Sequence, residues 1–124
     1  MIRELLTVGL GGAAGSIARY LLTHKILAGY MLWGFNAGTF TVNVVGSLLI
    51  GVALGATSDS ALLMRLLVIG FCGGFTTFST FSVDALHLLR DGAYTSAMLY
   101  MVLSVVVCVV CAALGVWIGE LLKN

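Results

Sequence analysis

The sequence contains no proline and very little charge. Only 9% of its 124 residues are charged, and the formal net charge is +1. So small a net charge provides neither a basic surface for nucleic acid nor an acidic tail, and we expect no nucleic-acid partner. Because proline is absent, a break in any helix must come from another cause.

Groups that support catalysis or bind a metal are also scarce. Cys108 and Cys111 form a C-x-x-C pair, but no histidine or second cysteine pair lies near them in the sequence, as a structural metal site requires. Together with Cys72 they are interpreted as small buried apolar residues. No nucleophile stands beside a base, so we expect that the protein is not an enzyme.

Apolar residues dominate the chain. They make up 60% of it, and the mean hydropathy is +1.13, far above the values of soluble domains. We therefore predict an all-α membrane protein in which residues 1–124 form one transmembrane domain within the lipid bilayer. The four predicted spans are 4–22, 34–56, 62–89 and 94–121.

The third predicted span is too long for a straight crossing. As one helix, residues 62–89 would extend about 40 Å, whereas the hydrocarbon core is about 30 Å thick. A tilt could absorb the excess length, but Gly73-Gly74 lies near the middle of this span, and glycine weakens a helix interior. We therefore predict that the third helix is broken near Gly73-Gly74.

Glycines four residues apart recur in every span. The pairs are Gly11 and Gly15, Gly51 and Gly55, Gly70 and Gly74, and Gly115 and Gly119. In lipid, this spacing lets helix backbones approach closely and pack by van der Waals contact. The glycines therefore predict helices that pack against other helices.

Positive charge is balanced between the two sides of the predicted bundle. The side of the termini carries Arg3, Arg65 and Lys123, and the other side carries Arg19, Lys25 and Arg90. The positive-inside rule then gives no preferred orientation. Because four helices can hardly enclose a pathway, we predict an antiparallel dual-topology homodimer.

Polar side chains occur at membrane depth in the second and fourth spans. Asn43 lies between Thr39 and Ser47 at helical spacing, and Tyr100 and Ser104 are likewise four residues apart. Asn43 either bonds across helices to hold them together or donates its side-chain N–H to a passing anion. A serine in a membrane helix commonly bonds to its own backbone instead.

The stretch FCGGFTTFSTFS at 71–82 is the most unusual. Its rings recur every three residues at Phe75, Phe78 and Phe81, with hydroxyl side chains between them. A lipid-facing helix needs no hydroxyls, and a water-filled pore needs no phenylalanine. Because ring edges are partly positive, rings and hydroxyls together suit an anion pathway. The alternative is a stacked aromatic core whose hydroxyls bond to their own helix.

A break in the third helix would free backbone carbonyls, which must be satisfied inside the membrane. They can bind a dehydrated cation, or they can accept a hydrogen bond from a side chain such as Thr76 or Thr77, and the sequence leaves both open.

Arg19 either reaches the membrane interface or attracts anions. Asp84, which is close to His87 in the sequence, is expected to cap or pair locally.

Three motifs resemble those of the Fluc (CrcB) fluoride channel family. They are GGAAGSIARY at 11–20, GTFTVNVVGS at 38–47 and GGFTTFSTFS at 73–82. The resemblance covers nearly the whole chain, and the third motif is the most specific. It implies a passive, fluoride-selective channel, an antiparallel homodimer in the bacterial inner membrane that lowers cytoplasmic fluoride.

The resemblance also implies functional residues. The implied anion pathway consists of Arg19, Asn43, Phe78, Phe81, Tyr100 and Ser104. Its two rings line the pathway, its amide and hydroxyls donate hydrogen bonds, and its arginine matches the first motif. A structural sodium ion at the dimer centre is the implied cofactor, bound by the backbone carbonyls of Gly73 and Thr76. Cys108 stands where the four-residue spacing would place another hydroxyl.

Two other classes of membrane protein fit part of the pattern. A small proton-coupled multidrug exporter also has four short spans, but it needs a carboxylate near the middle of a span. The first span has only Glu4, at its edge. A non-transporting membrane scaffold would explain the glycines and would leave the hydroxyls unexplained.

Overall fold

The computed structural model describes residues 1–57 and 59–123, most of which are helical. In chain order, the elements are α1 (Ile2–Leu21), the π-helical turn π1 (Leu22–Ile26), strands β1 (Met31–Leu32) and β2 (Phe35–Asn36), α2 (Ala37–Thr57), α3 (Ala61–Leu63), the π-helix π2 (Met64–Cys72), α4 (Gly73–Phe75), α5 (Phe78–Arg90) and α6 (Tyr94–Lys123). Four segments are long and apolar enough to cross a membrane, namely Ile2–Ile26, Ala37–Ala56, Ala61–Arg90 and Tyr94–Lys123. The prediction of a helical multi-pass membrane protein with four spans is confirmed.

A short hairpin that hydropathy did not predict separates the first two spans. The first span continues through π1 to Ile26, and β1 then pairs antiparallel with β2. The turn places Trp33 and Gly34 at positive φ, 47° and 89°, a region that glycine enters without strain. The side chain of Asn36 accepts hydrogen bonds from the first backbone N–H groups of α2. The second span therefore begins at Ala37 rather than at residue 34.

Glycine contacts join α2 to α6 along their length. Gly51 and Gly55 of α2 face Gly115 and Gly119 of α6, and a Cβ atom built on Gly51 would overlap the carbonyl oxygen of Ala112. Only a residue without a side chain allows the two backbones to come so close. The predicted role of these glycines in helix packing is confirmed.

The first span packs on the third in the same manner. A Cβ atom on Gly15 would overlap the carbonyl of Phe71, and one on Gly74 would lie 2.6 Å from the carbonyl oxygen of Gly12. Gly11 and Gly70 also meet at this contact, with a Cβ on Gly70 lying 3.0 Å from the Cα of Gly11. These close approaches explain why the third span needs glycine at these positions.

The third span is not one regular helix. After α4, Thr76 (φ −90°, ψ 159°) and Thr77 (φ −150°, ψ 114°) have extended backbones, and α5 begins at Phe78. Gly73 and Gly74 are themselves helical, so the backbone leaves helical geometry two residues beyond Gly74. We call Thr76 and Thr77 the interruption of the third span.

Candidate functional site

Asn43 of α2 satisfies the backbone at the interruption. Its Oδ1 accepts a hydrogen bond from the N–H of Thr77 at 2.8 Å, and its Nδ2 donates to the carbonyl oxygen of Thr77 at 3.0 Å. The Thr77 hydroxyl accepts from the N–H of Thr80 at 3.1 Å and so caps the start of α5. Because an amide has two N–H donors, one N–H of Asn43 remains for another ligand.

Arg19 of α1 also bonds to this region. Its Nε donates to the carbonyl oxygen of Gly74 at 3.0 Å, so the side chain points into the bundle and not toward the interface. The N–H and the hydroxyl of Thr76 both donate to the carbonyl of Cys72, at 3.1 and 2.9 Å. Within residues 1–57 and 59–123, no hydrogen bond reaches the carbonyl oxygens of Gly73 or Thr76.

A groove of about 400 Å³ runs beside the interruption, between α2, α5 and α6. We call it the ring groove. Its polar lining residues are Asn43, Ser47, Thr76, Thr77, Ser104 and Cys108, and its apolar ones are Ile50, Phe78, Phe81, Val105 and Val109. Four of the predicted anion-pathway residues, Asn43, Phe78, Phe81 and Ser104, are therefore brought together on one surface.

The two rings of the groove differ in environment. Phe78 is 78% exposed, whereas Phe81 is 9% exposed. Their centroids are 5.5 Å apart with an angle of 44° between the planes, a tilted arrangement typical of aromatic pairs. Behind them, Tyr100 packs against Phe81 at 4.9 Å and stacks on Phe35 at 4.8 Å. The deeper ring is therefore held by an aromatic core, and the outer ring is not.

Ser104 differs from the other polar residues of the groove in its hydrogen bonding. It is 7% exposed, and its Oγ finds no hydrogen-bond partner in the part of the chain that the structure describes. The other groove serine, Ser47, instead donates to the carbonyl of Asn43 on its own helix at 2.7 Å. Since a buried hydroxyl without a partner costs about 1–3 kcal/mol, Ser104 is available to a ligand in the groove.

Tyr100 lies beneath the groove and does not line it. It is fully buried, and its hydroxyl donates to Oδ2 of Asp84 at 3.1 Å. The expectation that Asp84 caps or pairs locally is therefore wrong, because its partner Tyr100 lies on α6. The separation of 16 residues between Asp84 and Tyr100 gave no periodic signal from which this pairing could be read.

A second, polar cavity of about 370 Å³ lies on the other side of the interruption. We call it the arginine cavity. Its polar lining residues are Arg19, Thr23, His24, Asn36, Thr39, Thr77, Thr80 and Asp84. Thr77 lines both the ring groove and the arginine cavity, whereas Asn43 lines only the ring groove.

Ion pairs form at the end of the bundle that carries the termini. Glu4 lies 3.4 Å from Arg65, and Asp59 lies 3.3 Å from Lys123. The acidic group of the first span is thus half-exposed and paired at the helix end, unlike the carboxylate that a proton-coupled exporter needs in the middle of a span.

These features define a class of protein, a four-span membrane protein in which hydrogen-bonding side chains and phenylalanine rings lie beside an interrupted helix. A family model described as CrcB-like protein, Camphor Resistance (CrcB), matches residues 6–116. The chain belongs to this family.

Curated relatives match the chain over nearly its full length. The protein named fluoride-specific ion channel FluC from Phocaeicola vulgatus is 44% identical over 122 residues, 96% of this chain and 100% of the relative. The protein of the same name from Geobacter metallireducens is 43% identical over 116 residues, 90% of this chain and 93% of the relative. That from Leptospira interrogans is 46% identical over 130 residues, 98% of this chain and 96% of the relative.

Proposed function

We propose that the chain is one subunit of a passive, fluoride-selective ion channel that lets fluoride leave the cytoplasm. The observation that carries this proposal is the ring groove, where Phe78, Phe81 and the unpartnered hydroxyl of Ser104 meet. A small anion needs donors and partly positive ring edges that are fixed in place but carry no full charge, so that it binds and also leaves. The names of the relatives identify that anion as fluoride.

Each predicted residue then has a role that its geometry supports. Phe78 and Phe81 present ring edges, Ser104 donates its hydroxyl, and Asn43 donates the N–H that Thr77 leaves free. Tyr100 acts as a positioning residue because it packs against Phe81 and is itself anchored.

Arg19 has a different role in the proposed pathway. Its Nε donates to the carbonyl oxygen of Gly74, and the residue also lines the arginine cavity. A guanidinium remains charged at any pH that the protein experiences. Its charge therefore raises the local concentration of anions at one end of the pathway.

The proposed channel is an antiparallel dual-topology homodimer. The equal numbers of cationic residues on the two sides support insertion in both orientations. Exposure of Phe78 on an open groove supports a second copy that completes the wall. Labelling a terminal tag from outside the cell should reach about half of the copies under this proposal, and labelling of all or none would contradict it.

A structural sodium ion at the dimer centre belongs to the same proposal. The unpartnered carbonyl oxygens of Gly73 and Thr76 are hard ligands of the kind that sodium prefers. The ion would satisfy these carbonyls and hold the two subunits together. Thermal stability should then rise with sodium concentration, by about 2.7 kcal/mol at a hundredfold excess over Kd. Equal stability in sodium and in N-methylglucamine would count against it.

The relatives come from bacteria, and four apolar spans require a membrane. We therefore place the protein in the bacterial inner membrane, where it lowers cytoplasmic fluoride.

Fluoride release from liposomes tests the function directly. Vesicles loaded with potassium fluoride and containing the purified protein should release fluoride when valinomycin balances the charge, and vesicles loaded with chloride should release almost none. Release no faster than from empty vesicles would contradict the proposal, and proton-driven dye export would favour an exporter.

Phe78→Ile should reduce fluoride flux at least tenfold without dissociating the dimer, because the positive ring edge is lost.

A further inference from the structure

The ring groove contains a thiol as well as hydroxyls. Cys108 lies on α6 one helical turn after Ser104, so their Cβ atoms are about 5–6 Å apart on one face. Among the described residues that line the groove, Cys108 is the only cysteine. Cys111, on the same helix, and the buried Cys72, in the third span, do not line it. The three thiols of the chain are thus distinguished by position.

The orphaned hydroxyl beside this thiol is a second and independent feature. Ser104 is more than nine-tenths buried and its Oγ has no partner in the described chain, so a lone pair is available to a bound atom. A thiol is the softest ligand that a protein offers, and it binds soft metal ions far better than hard ones. Val105 and Val109 of the same helix also line the groove, as does Ser47 of α2, which hydrogen-bonds to the Cys108 side chain.

We propose that Cys108, assisted by Ser104, is a binding site for a soft metal ion such as mercury(II), and that its occupation blocks the anion pathway. This proposal rests on the proposed function of the groove. With mercuric chloride, the sulfur of Cys108 forms a bond to mercury as one Hg–Cl bond breaks. The thiol proton leaves with that chloride as HCl, and no atom is oxidised or reduced. Mercuric chloride is neutral and small, so it can reach the thiol in the groove.

Blocking follows from size and from chemistry. The bound S–Hg–Cl group fills space between α2 and α6, and its mercury engages the Ser104 hydroxyl that would otherwise bind the anion. Neither effect is available at Cys111 or Cys72, because neither side chain reaches the groove.

The first experiment measures fluoride release from liposomes with and without mercuric chloride, as a ratio within each variant. Wild-type protein should lose at least nine-tenths of its rate and regain it when dithiothreitol is added. Cys111→Ser and Cys72→Ser should be blocked to the same extent, whereas Cys108→Ser should keep most of its own rate. Equal block of Cys108→Ser, or an unblocked wild type, would overturn the proposal.

A second readout does not depend on conduction. In a chain with Cys72→Ser and Cys111→Ser, intact-protein mass spectrometry should detect one mercury per chain in the membrane-embedded protein. If this adduct forms but wild-type vesicles pass no fluoride, the metal site stands and the proposed channel function fails. If fluoride passes but no adduct forms, the function stands and the metal site is refuted.

Discussion

The helices of the α2–α6 contact and the third span meet the hydrogen-bonding needs of their backbones in different ways. Both helices of the α2–α6 contact are continuous, and their glycines bring two backbones together. The third span instead leaves helical geometry at Thr76 and Thr77 and depends on side chains of other helices, Asn43 and Arg19, for its hydrogen bonds. Where a continuous helix forms all of its own backbone hydrogen bonds, van der Waals packing is enough to join it to its neighbour. Where the helix is interrupted, polar side chains at membrane depth must bond to the backbone groups that are left free.

This difference explains why the proposed anion site lies where it does. The donors that complete the interruption are already desolvated and fixed by their bonds to the backbone. An anion that reaches them needs little reorganisation of the protein.

The largest effect is expected from Gly51→Leu, in the α2–α6 contact. Its side chain would overlap the carbonyl of Ala112, and overpacking against backbone costs about 3 kcal/mol or more. Size-exclusion chromatography in detergent should show little folded protein. The matched control is Gly9→Leu, because nothing lies within 4 Å of a Cβ at Gly9. Similar folded yields for the two variants would contradict the importance of the contact.

Asn43→Ala should cost somewhat less, because it removes two hydrogen bonds to Thr77 and leaves the N–H of Thr77 without a partner. We expect a loss of about 2–3 kcal/mol, measured by denaturant unfolding in detergent, and a large loss of fluoride flux. Ser82→Ala is the control, since its hydroxyl donates to the carbonyl of Phe78 on its own helix. If both variants were equally stable, the interruption would not depend on Asn43.

Arg19→Lys should cost about 1.5 kcal/mol, because it removes a charged hydrogen bond to the carbonyl of Gly74. The positive charge remains in the arginine cavity, so fluoride flux should fall less than in Asn43→Ala. Arg90→Lys, at the exposed end of α5, is the matched control for the unfolding measurement. An unchanged unfolding midpoint in Arg19→Lys would show that the bond to Gly74 is dispensable.

Thr76→Val should have the smallest effect, about 0.5 kcal/mol or less. Its hydroxyl donates only to the carbonyl of Cys72, which the N–H of Thr76 also reaches. The backbone carbonyl proposed to bind sodium is retained, so the sodium dependence of thermal stability should be unchanged. A loss of that dependence would assign sodium binding to the side chain.

The four spans could be predicted from sequence because hydropathy is a local property, and the glycine contacts followed from their spacing. The position of the interruption could not. Gly73-Gly74 was the obvious weak point, but the extended residues are Thr76 and Thr77, whose backbone is supported by Asn43, 34 residues away in sequence. Support from a distant side chain leaves no local pattern.

The residues that line the groove could be predicted only in part, because contacts between helices leave no local pattern in the sequence. Periodicity indicated one face for Ser104 and Cys108, and both line the groove. Tyr100 belongs to the same stripe, yet packing against Phe35 and its bond to Asp84 turn it into the core. Spacing along one helix identifies a face, whereas the neighbouring helices decide what that face meets.

The most direct measurement compares fluoride flux and stability in Ser104→Ala. A buried hydroxyl without a partner stabilises nothing, so its removal should leave the unfolding midpoint unchanged or slightly higher. Fluoride release from liposomes should nevertheless fall at least tenfold, while Ser82→Ala, whose hydroxyl bonds to the carbonyl of Phe78, should conduct close to the wild-type rate. A Ser104→Ala protein that is folded and conducts fluoride as fast as wild type would contradict an anion pathway through the ring groove.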